Sequence, residues 1–170
     1  MLTTASVVGQ EFEFRLLNSL MSDITEDQLL AAMDEAVEVQ LIEELPNSVG
    51  LYQFTHALIQ ETLFEELSTT RRVRLHARIA EGLETLYGND ADVHAEELAY
   101  HFAEAVAVSG TEKIVRYSLI AGERALDSFA YEQALTHFNQ VLEVKEGQAD
   151  DAEVAAAFFG LGRAQAATLS

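Results

Sequence analysis

Residues 41–67 read LIEELPNSVGLYQFTHALIQETLFEEL and carry the clearest fold signal in the chain. Two short apolar runs, LIEEL and LYQF, flank PNSVG, whose Pro, Asn and Gly supply turn chemistry, so the segment predicts a small β-hairpin. From His56 the apolar residues recur at helical spacing, and Ile59, Leu63 and Leu67 share one face. The segment therefore predicts strand, loop, strand and helix, in that order.

Two further helices are predicted before the hairpin. Thr25 and Gln28 have the spacing of a capping box, which opens a helix. The apolar stripe of that helix is predicted at Leu29, Leu30, Met33, Val37 and Leu41. A shorter helix is predicted from near Glu11, and its buried side is formed by Phe12, Leu16, Leu17 and Leu20. Helix, helix, hairpin and helix is the order of a winged-helix module, which we place at residues 1–67.

From Ser68 to Ser170 the pattern predicts only helices, with short loops between them. Such helices form an antiparallel array. The last helix is predicted to be capped by Asp150 with Glu153. The fold class expected from the whole chain is therefore mainly α, with a small winged-helix module followed by antiparallel helical hairpins at residues 68–170.

The helical array contains a repeat of tetratricopeptide type. Its first copy is marked by Gly122, Tyr131, Ala134 and Phe138, and its second by Phe158, Leu161 and Gly162. Core packing is the predicted role of the aromatic and Gly positions Gly122, Tyr131, Phe138, Phe158 and Gly162. The second copy lacks its partner helix, so the array is expected to end inside a repeat and the last helix to mediate self-association. The opening LTTASVVG resembles the tail of a preceding helix, so we expect the chain to continue upstream as well.

Composition excludes several classes of function. The chain has 170 residues with 29 Asp plus Glu against 10 Lys plus Arg, a formal net charge of −19. Such a charge repels nucleic acid and anionic membrane surfaces, so neither is an expected partner. The chain has no Cys, which excludes disulfides and thiol catalysis and suggests a reducing, cytoplasmic location. It also contains no apolar run long enough for a membrane span and no secretory signal.

Three stretches, taken in order, resemble the winged-helix part of STAND-class regulatory ATPases. They are TASVVGQEFEFRLL at 4–17, QLLAAMDEAVEVQLIEEL at 28–45, and YQFTHALIQETLFEELSTTRRVRLHARIAEGLE at 52–84. The third is the most specific, because an aromatic-x-Phe-x-His-x-Leu-Ile string is typical of the bacterial branch with cyclase, kinase or LuxR-type output domains. In that class a tetratricopeptide-like array follows the winged helix.

The resemblance implies that the chain is a regulatory segment of a larger signal-transducing ATPase or transcriptional regulator. The winged helix would hold an upstream ATPase domain of the same polypeptide closed around ADP, and the array would receive a protein partner. His56 matches the family's His that contacts the nucleotide phosphate, so ADP or ATP is expected in the full-length protein. The chain lacks a GxxxxGK[ST] string, so by itself it is expected to hold no cofactor and not to be an enzyme.

His56 and the arginine cluster also allow purely structural interpretations. His56 is either a structural residue at the strand-to-helix junction or a phosphate contact at a helix N-terminus. Arg71, Arg72, Arg74 and Arg78 are predicted to pair with nearby Glu at the surface, with a docking patch as the alternative.

A metal site is not predicted, although the sequence offers one candidate. His94, Glu97 and His101 have the spacing of metal ligands on one helix face. A further ligand would have to come from elsewhere, and exposed His and Glu are common on helix surfaces. The same interpretation is given to His76 and His137.

Two other classes of function remain as alternatives. One is a winged-helix transcription factor with a dimerising helical tail. Its recognition helix would need Lys or Arg, whereas the helix from Thr25 to Val39 contains none and carries five carboxylates. The other is an enzyme with a His and Glu site, for which no catalytic motif is present.

Overall fold

The computed structural model describes residues 1–147 and 151–168. The protein is mainly helical with one small three-stranded antiparallel sheet, which confirms the predicted fold class at that level. Its contacts group into two compact units, residues 1–86 and residues 87–170. Across the described ranges, no helix has both the length and the apolar character that a membrane crossing requires.

The first unit begins with a helix and builds its sheet from strands far apart in the sequence. Its elements are α1 (Leu2–Val8), β1 (Glu11–Glu13), α2 (Phe14–Leu20), α3 (Glu26–Glu38), β2 (Ile42–Glu44), β3 (Leu51–Phe54), α4 (Ala57–Glu65) and α5 (Thr69–Tyr87), which ends at the unit boundary. Strand β3 lies between β1 and β2 and is antiparallel to both. The sheet buries Phe12, Ile42 and Phe54 in a common core with Leu29 and Met33 of α3.

The predicted hairpin of β2 and β3 is confirmed, but the structure adds a third strand. The helix expected from near Glu11 begins only at Phe14, because Glu11–Glu13 pairs with β3. In this register Phe12 lies opposite Tyr52, and only 2% of Phe12 is exposed. The backbone N–H of Phe14 then donates to the Gly50 carbonyl at 2.8 Å, and the chain turns into α2.

Helix α3 begins as predicted, but its buried face is turned from the predicted stripe. The Thr25 and Gln28 side chains each accept a hydrogen bond from the other residue's backbone N–H, so the capping box is confirmed. The buried residues are Leu29, Met33 and Ala36, whereas Leu30 and Val37 are exposed. Positions 29, 33 and 36 follow one line at i, i+4 and i+7, and this line packs into the core beneath the sheet.

Helix α5 groups with the first unit, although the sequence-based division placed residues 68–170 together. Its Gly82 lies against α2, where an added Cβ would come within 3.3 Å of the Leu16 and Leu20 side chains. Ile79 and Leu83 of the same helix are buried. Because α5 packs closely against α2 at Gly82, most of α5 belongs to the same compact unit as the preceding helices and strands.

The second unit consists of helices in its described residues. A 3₁₀ helix (Gly88–His94) is followed by α6 (Ala95–Glu104), α7 (Val106–Ser109), α8 (Glu112–Asp127), α9 (Tyr131–Val144) and α10 (Ala152–Thr168). Helix α8 packs against α6 and α9, and α9 packs against α10. The predicted cap Asp150 lies outside the described residues. Instead, Asp151 Oδ1 accepts hydrogen bonds from the backbone N–H groups of Glu153 and Val154.

The buried ring of Phe138 lies in the core of this unit, where the structure corrects two of the three positions predicted for the second repeat, while the third, Leu161, is buried as predicted. Gly122 of α8 and Gly160 of α10 both lie against that ring, and a Cβ on either would collide with it. Gly162, the predicted packing position, has open space around its Cα, and 60% of Phe158 is exposed. Gly162 follows Gly160 by two residues. In an α-helix, positions two residues apart are separated by roughly 200° around the helix axis, so Gly162 lies on the opposite side of α10.

Candidate functional site

His56 lies at the junction of β3 and α4, as expected, and its side chain is exposed. Its backbone is extended (φ −139°, ψ 133°), and its carbonyl accepts from the Ile59 N–H at 3.0 Å. The imidazole makes no capping hydrogen bond to α4, and the first turn of that helix has no acidic residue. In the described residues the imidazole thus does not cap α4, and the first turn of that helix carries no carboxylate that would repel an anion.

The residues considered as metal ligands have other surroundings. The His94 ring stacks on Tyr87 with centroids 3.6 Å apart, and the Tyr87 hydroxyl donates to Glu97 Oε2 at 2.7 Å. His101 is not on the surface as proposed, since only 1% of it is exposed, and the same is true of His76. In the part of the chain that the structure describes, no three His, Asp or Glu side chains are placed to hold one ion.

The arginine-rich start of α5 contains one residue with a clear structural role. The Arg72 guanidinium donates to the carbonyls of Leu67 and Glu65 at 3.0 and 3.1 Å, and its Cζ lies 4.3 Å from the centre of the Phe64 ring. These contacts join the end of α4 to the start of α5. Arg78 reaches in another direction and donates to the Leu20 carbonyl of α2.

The expected pairing of these arginines with Glu is wrong for the described residues. Arg71, Arg72, Arg74 and Arg78 form no ion pair with any carboxylate in residues 1–147 and 151–168. Instead, Arg71, Arg74 and Arg78 line a cavity of about 480 Å³ together with Thr3 and Thr4 of α1. We call this the arginine cavity; its apolar wall is formed by Leu67 and Leu75.

Arg78 also lines a second cavity, of about 540 Å³, between α2 and α5. Arg15 contributes a second guanidinium there, and Glu81 contributes a carboxylate. The presence of Glu81 makes this second cavity less positive than the arginine cavity. Anion binding is the chemistry that the arginine cavity offers, since guanidinium groups match phosphate and carboxylate oxygens and cannot act as nucleophiles.

The second unit has a cavity of its own, of about 420 Å³. Its polar lining includes Glu96, Arg124, Gln133 and His137. Nδ1 of His137 is buried and has no hydrogen-bond partner in the described residues. Burial lowers the pKa of His137, and the nearby Glu96 carboxylate opposes this by favouring the charged imidazolium.

The last helix displays two adjacent aromatic side chains. Phe158 and Phe159 of α10 are 60% and 69% exposed, and we call this pair the aromatic face. The Arg163 guanidinium lies 5.8 Å from the centre of the Phe159 ring and donates to Glu123 Oε2 on α8 at 2.7 Å. The aromatic face is therefore presented by a helix that is held to its neighbours.

Sequence reasoning found part of these surfaces. The spacing of Arg71, Arg74 and Arg78 placed them on one helix face, as observed. Thr3 and Thr4 come from a helix more than 60 positions earlier and had no signal in the sequence. The exposed pair of Phe158 and Phe159 was also missed, because Phe158 was assigned to the buried face of the last helix.

Comparison with known proteins finds a relative along most of the chain. The chain is similar to an uncharacterized protein of Rhizobium meliloti (strain 1021), with 27% identity over 155 residues. The matched region covers 90% of this chain and 15% of that relative, so the chain spans only a small part of the relative's length. No family model matches the chain, and no solved structure matches it.

Proposed function

We propose that this chain is a non-catalytic regulatory and protein-interaction segment of a larger signal-transducing ATPase or transcriptional regulator in the cytoplasm. The observation that carries the interaction part is the aromatic face, since two neighbouring exposed Phe side chains on one helix mark a surface for a partner. The relative from Rhizobium meliloti supports the proposal that the segment belongs to a larger protein, because the matched region makes up 15% of that relative's length.

The proposed mechanism uses the two units for different tasks. A winged-helix-like first unit packs on an upstream ATPase domain and keeps it closed around ADP, with His56 toward the phosphates. A tetratricopeptide-like second unit binds a protein partner, and this binding shifts the closed–open equilibrium. The exposure of His56 and its lack of a capping role support this assignment, because a purely structural His at this junction would cap the helix.

The charge of α3 weighs against the transcription-factor alternative. In a winged-helix DNA-binding protein the helix before the hairpin would face the phosphate backbone and the base edges. Helix α3 instead exposes only carboxylates as charged groups, at Glu26, Asp27, Asp34, Glu35 and Glu38. Contact with DNA would bring five negative charges against a polyanion.

Self-association tests the interaction part of the proposal. In the isolated chain we expect the aromatic face of one copy to be covered by that of a second copy, so that sedimentation shows a dimer that dissociates on dilution. Phe158→Ser combined with Phe159→Ser should give a monomer at every concentration. Leu58→Ser is the matched control, since Leu58 is 71% exposed on α4 and its loss should leave the dimer intact. A protein that is monomeric at high concentration before any substitution would contradict the assignment of this face.

The nucleotide part is tested in the full-length protein. His56→Ala should increase the ADP dissociation rate and the basal output. The expected loss in ADP affinity is about ten- to a hundredfold, the usual range for one hydrogen bond to a charged phosphate. The thermal stability of the isolated chain serves as control, because an exposed residue without a structural partner should not change it. An unchanged ADP off-rate together with a large loss of stability would remove His56 from the nucleotide site.

A further inference from the structure

The arginine cavity brings three positive charges together, and one of them, Arg78, also joins α5 to α2. Arg71, Arg74 and Arg78 stand at i, i+3 and i+7 on α5, and like charges at such spacings destabilise a helix. The chain has 29 acidic residues available for pairing, yet within the described ranges no carboxylate lies within ion-pairing distance of these three groups. Of the three, Arg78 is held by a hydrogen bond to the Leu20 carbonyl, whereas Arg71 and Arg74 have no carboxylate partner among the described residues.

The other groups of the cavity complete an anion site. The hydroxyl groups of Thr3 and Thr4 form no hydrogen bond with the described residues, so both are available to donate to a ligand. Leu67 and Leu75 close one side with apolar surface, which lowers the local dielectric and strengthens a charge-assisted hydrogen bond. A volume of about 480 Å³ falls within the range of small-molecule sites.

We infer that the arginine cavity binds a small molecule with a chain of two or three phosphate groups. A row from i to i+7 is about 10 Å long at 1.5 Å per residue, which is too long for one phosphate and suits a linear polyphosphate. Guanidinium groups bind phosphate oxygens in a bidentate way, and Thr hydroxyls donate to the same oxygens. The net charge of −19 does not prevent this binding, since surface charges more than about 8 Å away are screened at physiological salt.

This inference goes beyond the proposed function and is independent of it. It concerns α1 and α5 of the first unit alone and needs neither an upstream ATPase domain nor His56. Phosphate chains of this kind occur free and as part of nucleotides, and the cavity recognises the chemistry that both share.

The test is calorimetric titration of the whole chain at about 0.15 M salt with orthophosphate, diphosphate, tripolyphosphate, ADP and citrate. We expect diphosphate or tripolyphosphate to bind at least tenfold more tightly than orthophosphate. If ADP binds with the same affinity as diphosphate, the cavity recognises only the phosphate chain. If ADP binds more tightly than diphosphate, the natural ligand is a nucleotide. Citrate that binds as tightly as tripolyphosphate would overturn the phosphate assignment, and so would the absence of polyphosphate binding below about 1 mM.

Variants locate the site within the chain. Arg71→Gln and Arg74→Gln should each weaken tripolyphosphate binding about ten- to a hundredfold. Arg74→Lys should fall between Arg74→Gln and the unchanged protein, because Lys keeps the charge but loses the bidentate geometry. Arg116→Gln is the matched control, since Arg116 is an exposed arginine of α8 that pairs with Asp92 at 3.1 Å.

Folding is checked by helicity and thermal unfolding of each variant. The Arg71 and Arg74 side chains form no ion pair in the described residues, and removing either charge relieves like-charge repulsion along α5, so the melting temperature should not fall. Loss of binding with an unchanged melting temperature supports the site. Equal losses of affinity in Arg116→Gln and Arg74→Gln would show that binding follows total charge, and the inference would be wrong.

Discussion

Gly160→Ala is the substitution that most directly tests the packing of the second unit. Gly160 of α10 faces the ring of Phe138, which is completely buried. A Cβ built on Gly160 would lie 2.5 and 2.6 Å from Cε2 and Cε1 of that ring, and closer still to Cζ. Real Cβ atoms do not approach other atoms this closely, so either the ring or α10 must move.

Two opposing effects set the magnitude. Replacing Gly by Ala within a helix stabilises the helix by about 0.5–1 kcal/mol, because it restricts the unfolded chain. Overpacking of a filled core costs about 1–3 kcal/mol. The Phe138 ring also lies against Gly122 of α8 and is completely buried, so it has little room to move. We therefore expect a net destabilisation of about 1–2 kcal/mol, which for a chain of 170 residues corresponds to a fall of about 2–8 °C in melting temperature.

Gly162→Ala is the matched control, on the same helix and with the same change in chemistry. Apart from the local backbone of α10, no atom of the described residues lies within 4 Å of a Cβ built on Gly162, so only the helix-propensity term remains and the protein should become slightly more stable. Chemical denaturation of the two variants and of the unchanged chain measures the difference. A protein in which Gly160→Ala is as stabilising as Gly162→Ala would refute the packing described for α10.

Phe138→Leu provides a second check on the same contact. A smaller side chain at position 138 makes room for the added methyl group, so Gly160→Ala should cost less in the Phe138→Leu background than in the unchanged chain. A coupling of about 0.5–3 kcal/mol is the usual range for residues in contact. Additive effects of the two substitutions would mean that the ring and the helix do not meet.

Three further predictions concern other parts of the chain. Met33→Ala should destabilise the protein by about 2–5 kcal/mol, whereas Leu30→Ala on the exposed side of α3 should cost less than 1 kcal/mol, and urea denaturation of both variants tests the corrected stripe. Burial lowers the pKa of His137, so its neutral form contributes stability above about pH 6.5, and this stability is lost as the pH falls below that value. The difference between the melting temperatures at about pH 7.5 and pH 5.5 should therefore be smaller in His137→Gln than in the unchanged chain. An equal difference in the two proteins would contradict the role of His137. The whole chain should show no sequence-selective shift of duplex DNA at low salt, and submicromolar selective binding would reverse the conclusion drawn from the acidic α3.

Structural elements that are determined by their own residues could be predicted from the sequence. The capping box of Thr25 and Gln28 forms as predicted, since both hydrogen bonds lie within one helical turn. The loop between β2 and β3 follows from its turn residues, and Asn47 and Gly50 adopt positive φ angles of 69° and 80°. Most helices were also found, because their apolar residues recur every three or four positions.

Elements that depend on a distant partner were not predictable in this way. Strand β1 has three residues, Glu11–Glu13, and becomes a strand because β3, some 40 positions later, offers an open edge. The choice between Gly160 and Gly162 as the packing residue is another case, since both are glycines in an Ala-rich helix with little periodicity. Only the position of the Phe138 ring on the neighbouring helix distinguishes them.

The distribution of positive charge between the two units could not be read from the net charge. In the second unit Arg116, Lys145 and Arg163 each lie within hydrogen-bond distance of a carboxylate. In the first unit Arg71 and Arg74 have no such partner in the described residues, although acidic residues outnumber basic ones almost three to one in the chain.

An excess of acid should make unpaired arginines rare, because each one has many carboxylates with which to pair. Arg71 and Arg74 nevertheless have no carboxylate partner among the described residues, and they line the arginine cavity together with Thr3 and Thr4 of α1. A net charge of −19 therefore excludes large polyanions, which would approach the acidic surface as a whole. It does not exclude a small anion that reaches the arginine cavity, whose charged lining residues are the three arginines.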